Sequence, residues 1–169
     1  MSVEQHRRAA PAQLRFAVIT ISDTRALDTD TGGALLVELV SAAGHVVASR
    51  ALVKDDAPEI VAAVRAAVAH AEVDLVLCTG GTGLAPRDVT VPALQREFEA
   101  EIPGFGELFR WLSYQEIGSA AILSRACAGV IRGKVVCALP GSPKALRLAL
   151  ERIVLPEAGH LVAQTRPLA

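Results

Sequence analysis

The residues with the most chemical capacity lie between Thr79 and Thr90, in the run TGGTGLAPRDVT. Gly80, Gly81 and Gly83 alternate there with Thr79 and Thr82. Glycines let a backbone take positive φ and pass close to a ligand. Successive N–H groups in such a turn converge on an anion. Arg87 and Asp88 follow, one cation and one carboxylate, and Thr90 and Pro92 then read as a helix start. A phosphate cradle beside a carboxylate that can hold a cation suits phosphoryl or nucleotidyl transfer. A plain tight turn uses the same glycines, so the turn alone does not decide. It is neither of two common signatures: no GxxxxGK[ST] occurs, and Pro86 stands where a dinucleotide fingerprint needs its third glycine.

Three further polar clusters have comparable capacity. Ser22 and Asp23 close an apolar run and could equally form a simple turn. Asp55 and Asp56 follow Lys54, and since one aspartate suffices to cap the next helix, the other is spare. Gly141 and Ser142 sit in LPGSPK, where Ser142 can cap a helix that opens on Pro143. An exposed N-cap turn is also an anion site. The serine is not in a GxSxG context, so a hydrolase nucleophile is disfavoured.

The elements that must position these clusters can be read from apolar patterning. Arg15 to Ile21, His45 to Val53 and Val73 to Thr79 read as buried strands. Ala126 to Ile131 and Lys134 to Leu139 read as two strands about the tight turn Arg132-Gly133, hence antiparallel. Helical spacing predicts helices over 34–43, with 28–33 as a polar loop before it, and from Ala57 to near Ala71. Further helices are predicted over 91–100, 104–115 and 143–154, with a short tail from Leu155. Trp111 falls off its helix's apolar stripe and is a candidate subunit contact. The alternation predicts a single α/β domain over 15–156, between an arm (1–14) and a tail (157–169). Its sheet is mostly parallel with one antiparallel pairing, in a three-layer sandwich with helices on both faces. Right-handed crossovers would then bring all four polar clusters to one rim.

Composition removes several classes. With 17 basic and 18 acidic residues, the chain lacks the basicity of a nucleic-acid binder. No apolar run reaches membrane-spanning length and no signal peptide is visible. The three cysteines, Cys78, Cys127 and Cys137, are odd in number and not CxxC-spaced, so they read as small buried hydrophobes in a cytoplasmic protein. The four histidines are scattered, which argues against a histidine zinc site.

Taken in order, TISDTRALDTDTGG (20–33), VKDD (53–56), CTGGTGLAPRDVT (78–90), IPGFGELFRWLS (102–113), ILSRACAGV (122–130) and LPGSPKA (139–145) resemble the molybdenum-cofactor biosynthesis B/Mog family, whose pterin-binding domain also occurs in gephyrin. DTDTGG and SYQEIG favour the B branch, although Gly32 stands where that branch often has Ser. The resemblance implies a homotrimer or homohexamer that binds molybdopterin. In catalytic members, molybdopterin is adenylylated by Mg-ATP. It further implies that Asp55 and Asp88 are the catalytic acids and hold or orient Mg²⁺. Ser22, Asp23, Thr79, Gly80, Gly81, Thr82, Gly83, Gly141 and Ser142 would bind pterin or phosphate. Glu107, Ser124 and Arg125 match secondary motif positions: Glu107 as the acid of PGFGE or a plain helix-surface residue, Ser124 and Arg125 in a structural or loop-ordering role, with a place near phosphate as the alternative for Arg125. Some B-branch members lack the two acids, whereas both are present here.

Three alternatives stay open from the sequence. One is a molybdopterin carrier without chemistry. Another is the nucleotide pyrophosphatase domain of competence-damage proteins, against which RDVT and DTDTGG argue. The third is a scaffold module of the gephyrin kind, disfavoured by the lack of a linker or second domain.

Overall fold

The computed structural model describes residues 13–165. Its centre is a six-stranded sheet in the order β2-β1-β3-β6-β5-β4. The strands are β1 (Arg15–Ile21), β2 (Val46–Val53), β3 (Leu75–Thr79), β4 (Ala100–Glu101), β5 (Cys127–Ile131) and β6 (Lys134–Leu139). β2, β1, β3 and β6 run parallel, while β5 pairs antiparallel with both β6 and β4. The antiparallel element thus extends to two pairings, one more than the sequence predicts.

Helices cover both faces, and the strand side chains show why. Phe16, Val18, Leu75, Leu77, Val135 and Cys137 point into one core, with α1 (Thr31–Ala42), α4 (Pro103–Ile117), α5 (Pro143–Ala149) and α6 (Leu155–Thr165). Ala17, Ile19, Val76, Cys78, Val136 and Ala138 point into the other, with α2 (Ala57–Ala69) and α3 (Thr90–Gln95). Strands buried on both faces are apolar at every position, which is why they read as continuous runs. The architecture is the three-layer α/β sandwich expected.

Four boundaries differ from the sequence reading, each for a local reason. α1 starts at Thr31, because the Asp30 carboxylate caps it by accepting from the Gly33 N–H at 2.8 Å. A side chain on Gly33 would collide with Asp30 and Thr20, so the glycine is required by packing. α3 ends at Gln95 instead of continuing to 100. The chain then pairs Ala100 and Glu101 with β5, and Phe98 fills the space left by the missing side chain of Gly129. The predicted tail is helical: after α5 a π-turn (Leu150–Val154) leads into α6, where Ala158 and Val162 are buried. Pro156 has no N–H to donate, and a turn widened by one residue absorbs it without breaking the helix. Leu14, assigned to the arm, is fully buried in the core. Residues 1–12 of that arm, and 166–169, lie outside the described residues.

The β5–β6 hairpin turns on Arg132 (φ 50) and Gly133 (φ 68), the two positive-φ residues that a two-residue turn between twisted strands demands. Among the described residues, no helix is long and apolar enough to cross a membrane.

Candidate functional site

The ends of β1, β2, β3 and β6 deliver all four polar clusters to one rim. The Ser22 N–H donates to the Val53 carbonyl at 2.9 Å, tying the turn after β1 to β2. The Asp55 N–H donates to Asp23 Oδ1 at 3.1 Å, joining the same two turns. Thr79 Oγ1 donates to the Pro140 carbonyl at 3.1 Å, and the Gly80 N–H donates to the Leu139 carbonyl at 3.2 Å. A Cβ on Gly141 would lie 3.9 Å from Gly80 Cα, so the two turns are in contact.

The glycine turn sits at the centre. Gly80 has φ 104, and a side chain there would strike the Ile21 carbonyl. Gly81 has φ 61, and a Cβ there would lie 2.3 Å from Thr90 Oγ1 and 2.4 Å from Asp55 Oδ1. Only glycine satisfies both the positive φ and the close approach. Asp88 curls back on the turn: its Oδ2 accepts from the Ala85 N–H at 2.9 Å and stands 2.5 Å from where a Cβ of Gly83 would be. Asp55 and Asp88 therefore flank the turn over Gly81 and Gly83.

The turn is held from outside by Arg125, which leads into β5. Its Nε donates to the Thr82 carbonyl at 3.2 Å, and its Nη2 donates to the Asp88 carbonyl at 2.8 Å and to the Gly83 carbonyl. With these carbonyls drawn toward the guanidinium, the N–H groups of Gly81, Thr82 and Gly83 are left without a protein acceptor among the described residues. Gly80 differs from the expectation of an anion donor, since its N–H is spent on Leu139. Thr79 is buried and spends its hydroxyl on Pro140, so it joins the turns and does not face outward.

Like charges crowd Asp55. Burial pushes the Asp55 carboxyl above its ordinary range; Asp23 and Asp88 push it further, and Arg87 opposes them. Asp55 Oδ1 is buried with no hydrogen-bond partner. Among the described residues no cluster of at least three His, Cys, Asp or Glu forms a closed metal cage. Mg²⁺ needs no such cage, because one or two carboxylates, with waters and substrate phosphates, complete its shell.

Next to the turn lies a recess of about 60 Å³ lined by Thr20, Ser22, Arg25, Asp30, Gly80 and Gly141. Arg25 and Asp30 escaped the sequence reading. Arg25 Nη1 donates to the Thr29 carbonyl at 2.8 Å and to Thr31 Oγ1 at 3.0 Å. Asp30 is buried, accepts from Thr20 Oγ1 at 2.7 Å and pairs with Arg50 at 2.9 Å. DTDTGG pointed to that segment, but nothing in it shows which aspartate turns inward.

Glu107 and Ser124 lie elsewhere. They line a groove of about 360 Å³ with Glu101, Arg110 and Arg125, which contains neither Asp55 nor Asp88. Arg125 is the residue common to that groove and the clamp on the glycine turn. Ser142 is exposed at the rim, and its Oγ accepts from the Ala145 N–H at 3.5 Å as the cap of α5. Burial pushes the Cys127 thiol up to about 11 and the Cys137 thiol up to about 12; Glu101 adds to the first and Cys127 to the second. Neither is a thiolate nucleophile at neutral pH.

A mostly parallel α/β sheet with a glycine turn and paired acids at its strand ends defines an open-sheet α/β domain, whose ligand edge is ordinarily the carboxyl ends of the strands. Residues 17–160 match the family described as "Probable molybdopterin binding domain", and the chain belongs to that family. Molybdenum cofactor biosynthesis protein B of Halalkalibacterium halodurans is 50% identical over 165 residues, 97% of each chain. Its counterpart in Bacillus subtilis is 47% identical over 98% of each chain. A crystal structure of a molybdenum cofactor biosynthesis protein B matches with a TM-score of 0.89 at 50% identity, covering 92% of this chain and 98% of the other. The tungsten cofactor synthesizing protein MoaB from Pyrococcus furiosus matches with a TM-score of 0.84 at 38% identity, covering 93% and 99%. The resemblance read from the motifs is borne out.

Proposed function

We propose that this chain binds molybdopterin at the glycine-turn rim and adenylylates it with Mg-ATP, giving adenylyl-molybdopterin and pyrophosphate. In the transfer a phosphate oxygen of molybdopterin attacks the α-phosphorus of ATP. A new P–O bond forms, the bond to the β-phosphate's bridging oxygen breaks, and pyrophosphate leaves with that electron pair. The observation that carries this reading is the meeting of Asp55 and Asp88 over a turn whose Gly81, Thr82 and Gly83 N–H groups have no protein acceptor.

Each part has a role in a reaction governed by positioning and electrostatics. The free N–H groups of the turn receive a phosphate. Ser22 and Gly141 line the adjoining recess, and Asp23 and Ser142 extend the same rim, where the pterin or its phosphate would sit. Arg87, exposed beside Asp88, neutralises charge on the incoming anions. Asp55 and Asp88 would hold Mg²⁺, and the like charges of Asp23 and Asp88 around Asp55 suit a cation there. When bound, the ion neutralises phosphate charge. Glu107 and Ser124 support the groove behind Arg125 and contact no reacting atom.

Self-association belongs to the same reading. Trp111, Tyr114, Ile117, Ile122 and Leu123 are exposed together along the end of α4 and the 3₁₀ turn (Gly118–Leu123). An apolar patch of this kind suits a second copy of the chain, in a trimer or hexamer, and the cell compartment is the cytoplasm.

The test is AMP transfer and pyrophosphate release with purified protein, molybdopterin, ATP and Mg²⁺. Asp88→Asn should abolish transfer and leave molybdopterin binding nearly intact. Unchanged turnover in that variant removes Asp88 from the mechanism. Tight molybdopterin binding by the wild type with no AMP transfer makes the chain a carrier.

A further inference from the structure

Thr90 has a feature that helix capping does not explain. It is the first residue of α3, where the cap is Val89 and no side chain caps the helix. Its backbone N–H donates to the Gly81 carbonyl at 3.1 Å, which fixes it against the glycine turn. The side chain is completely buried, yet Oγ1 has no hydrogen-bond partner. Buried hydroxyls are nearly always paired, and an unpaired one calls for a reason. Asp55 Oδ1 is unpaired in the same way. Both oxygens face the space where Gly81 lacks a side chain, Thr90 Oγ1 at 2.3 Å and Asp55 Oδ1 at 2.4 Å from the position of the missing Cβ. One is a donor and the other an acceptor, brought together from different loops across the bare face of a glycine.

We propose that Thr90 is the positioning residue for Asp55, its hydroxyl proton given to Oδ1 through one bridging water. Without that bond, the Asp55 carboxylate is tethered only by its own backbone, whose N–H donates to Asp23. The groups acting on it pull in different directions: Asp23 and Asp88 repel it, and Arg87 attracts it. A fixed donor on the inner side sets which oxygen faces the substrate rim and which faces the protein. Gly81 is then the spacer that lets the two side chains meet. This deepens the reading of Asp55 as an acid of the proposed transfer, and only the kinetic arm below depends on that reading.

Thr90→Val and Thr90→Ser test it. Valine keeps the shape and removes the hydroxyl; serine keeps the hydroxyl. If Thr90 positions Asp55, Thr90→Val lowers kcat for AMP transfer by about tenfold or more. The KM for molybdopterin stays within about twofold, and Tm falls by a few degrees, because the buried Asp55 oxygen loses its donor. Thr90→Ser recovers most of the rate. Ligand-free crystal structures supply the arm that needs no activity. The wild type is expected to show Thr90 Oγ1 joined to Asp55 Oδ1 by one bridging water, and in Thr90→Val the carboxylate turns away. If Asp55 keeps the same rotamer in Thr90→Val, or no such bond exists in the wild type, the proposal is overturned. Failure of the wild type to transfer AMP sinks the proposed reaction alone and leaves the crystallographic comparison decisive for Thr90.

Discussion

Arg125→Ala probes how the glycine turn is made ready. The guanidinium of Arg125 holds the carbonyls of Thr82, Gly83 and Asp88 from a position 37 to 43 residues further along the chain. Each is a charge-assisted bond, but the turn lies at the surface and its carbonyls can bind water once released. The net loss is therefore near the low end for such bonds, about 1 kcal/mol each and about 2–3 kcal/mol together. For a domain of this length, that corresponds to a Tm lower by roughly 4–12 °C if the whole amount reaches the global transition. It does not all reach it, because most is spent on loosening the turn. The functional loss is larger: a displacement of about 1 Å in a positioning loop costs about 100-fold in rate. The expected result is kcat/KM for AMP transfer down about 100-fold, with Tm down only a few degrees. Arg125→Lys keeps the charge but loses the planar fork and recovers only a small part of the rate. The order parameters of the Thr82 and Gly83 amides should fall below about 0.6 in the alanine variant. Wild-type turnover with an unchanged turn in Arg125→Ala would refute the idea that this side chain prepares the site.

Other perturbations follow from the same geometry. Gly81→Ala combines a left-handed backbone with a Cβ driven against Thr90 and Asp55, so stability should fall by about 2–4 kcal/mol in chemical denaturation and transfer should be lost. Asp30 is affected first by burial, which raises its carboxyl, but bonds from Arg50, Gly33 and Thr20 outweigh burial and leave it below the ordinary aspartate value. Its contribution is thus present above that ordinary value and lost as pH falls through the lower folded one; the Tm gap between wild type and Asp30→Asn should be widest near neutrality and narrow in acid. Asp55 has the opposite sign: its raised carboxyl favours the fold at low pH and is a burden once ionised, so Asp55→Asn should raise Tm at neutral pH while abolishing transfer. Ile122→Lys places a charge on the exposed apolar patch; if that patch seats a second copy as proposed, light scattering should show an oligomer for the wild type and a shift toward monomer for the variant.

Much of the fold was legible in the sequence for a simple reason. β1, β3 and β6 are buried on both faces, so their apolar runs mark them whatever the helices do. The rim was legible because glycine, aspartate and serine after a strand are needed there for backbone or charge reasons. What stayed hidden depends on distance and direction. Asp28 and Asp30 look alike in sequence, and only folding sends Asp30 to Arg50. Gly32 and Gly33 argue locally against a helix, yet both lie inside α1, where Gly33 packs against Asp30 and Thr20. β4 spans only two residues, too short for a pattern, and exists because β5 offers a partner. Pro156 reads as a helix end, but the π-turn passes it. Thr90 resembles a cap by type, and its unpaired hydroxyl is visible only in three dimensions.

The central claim is that turns from four strand ends form one pocket for phosphorylated ligands. The most direct test is a crystal structure with molybdopterin, a non-hydrolysable ATP analogue and Mg²⁺, read for the positions of phosphorus. A phosphate is expected on the Gly81, Thr82 and Gly83 N–H groups, with Asp55 and Asp88 turned toward the cation. Phosphates seated in the groove of Glu107 and Arg110, with the glycine turn bare, would contradict it.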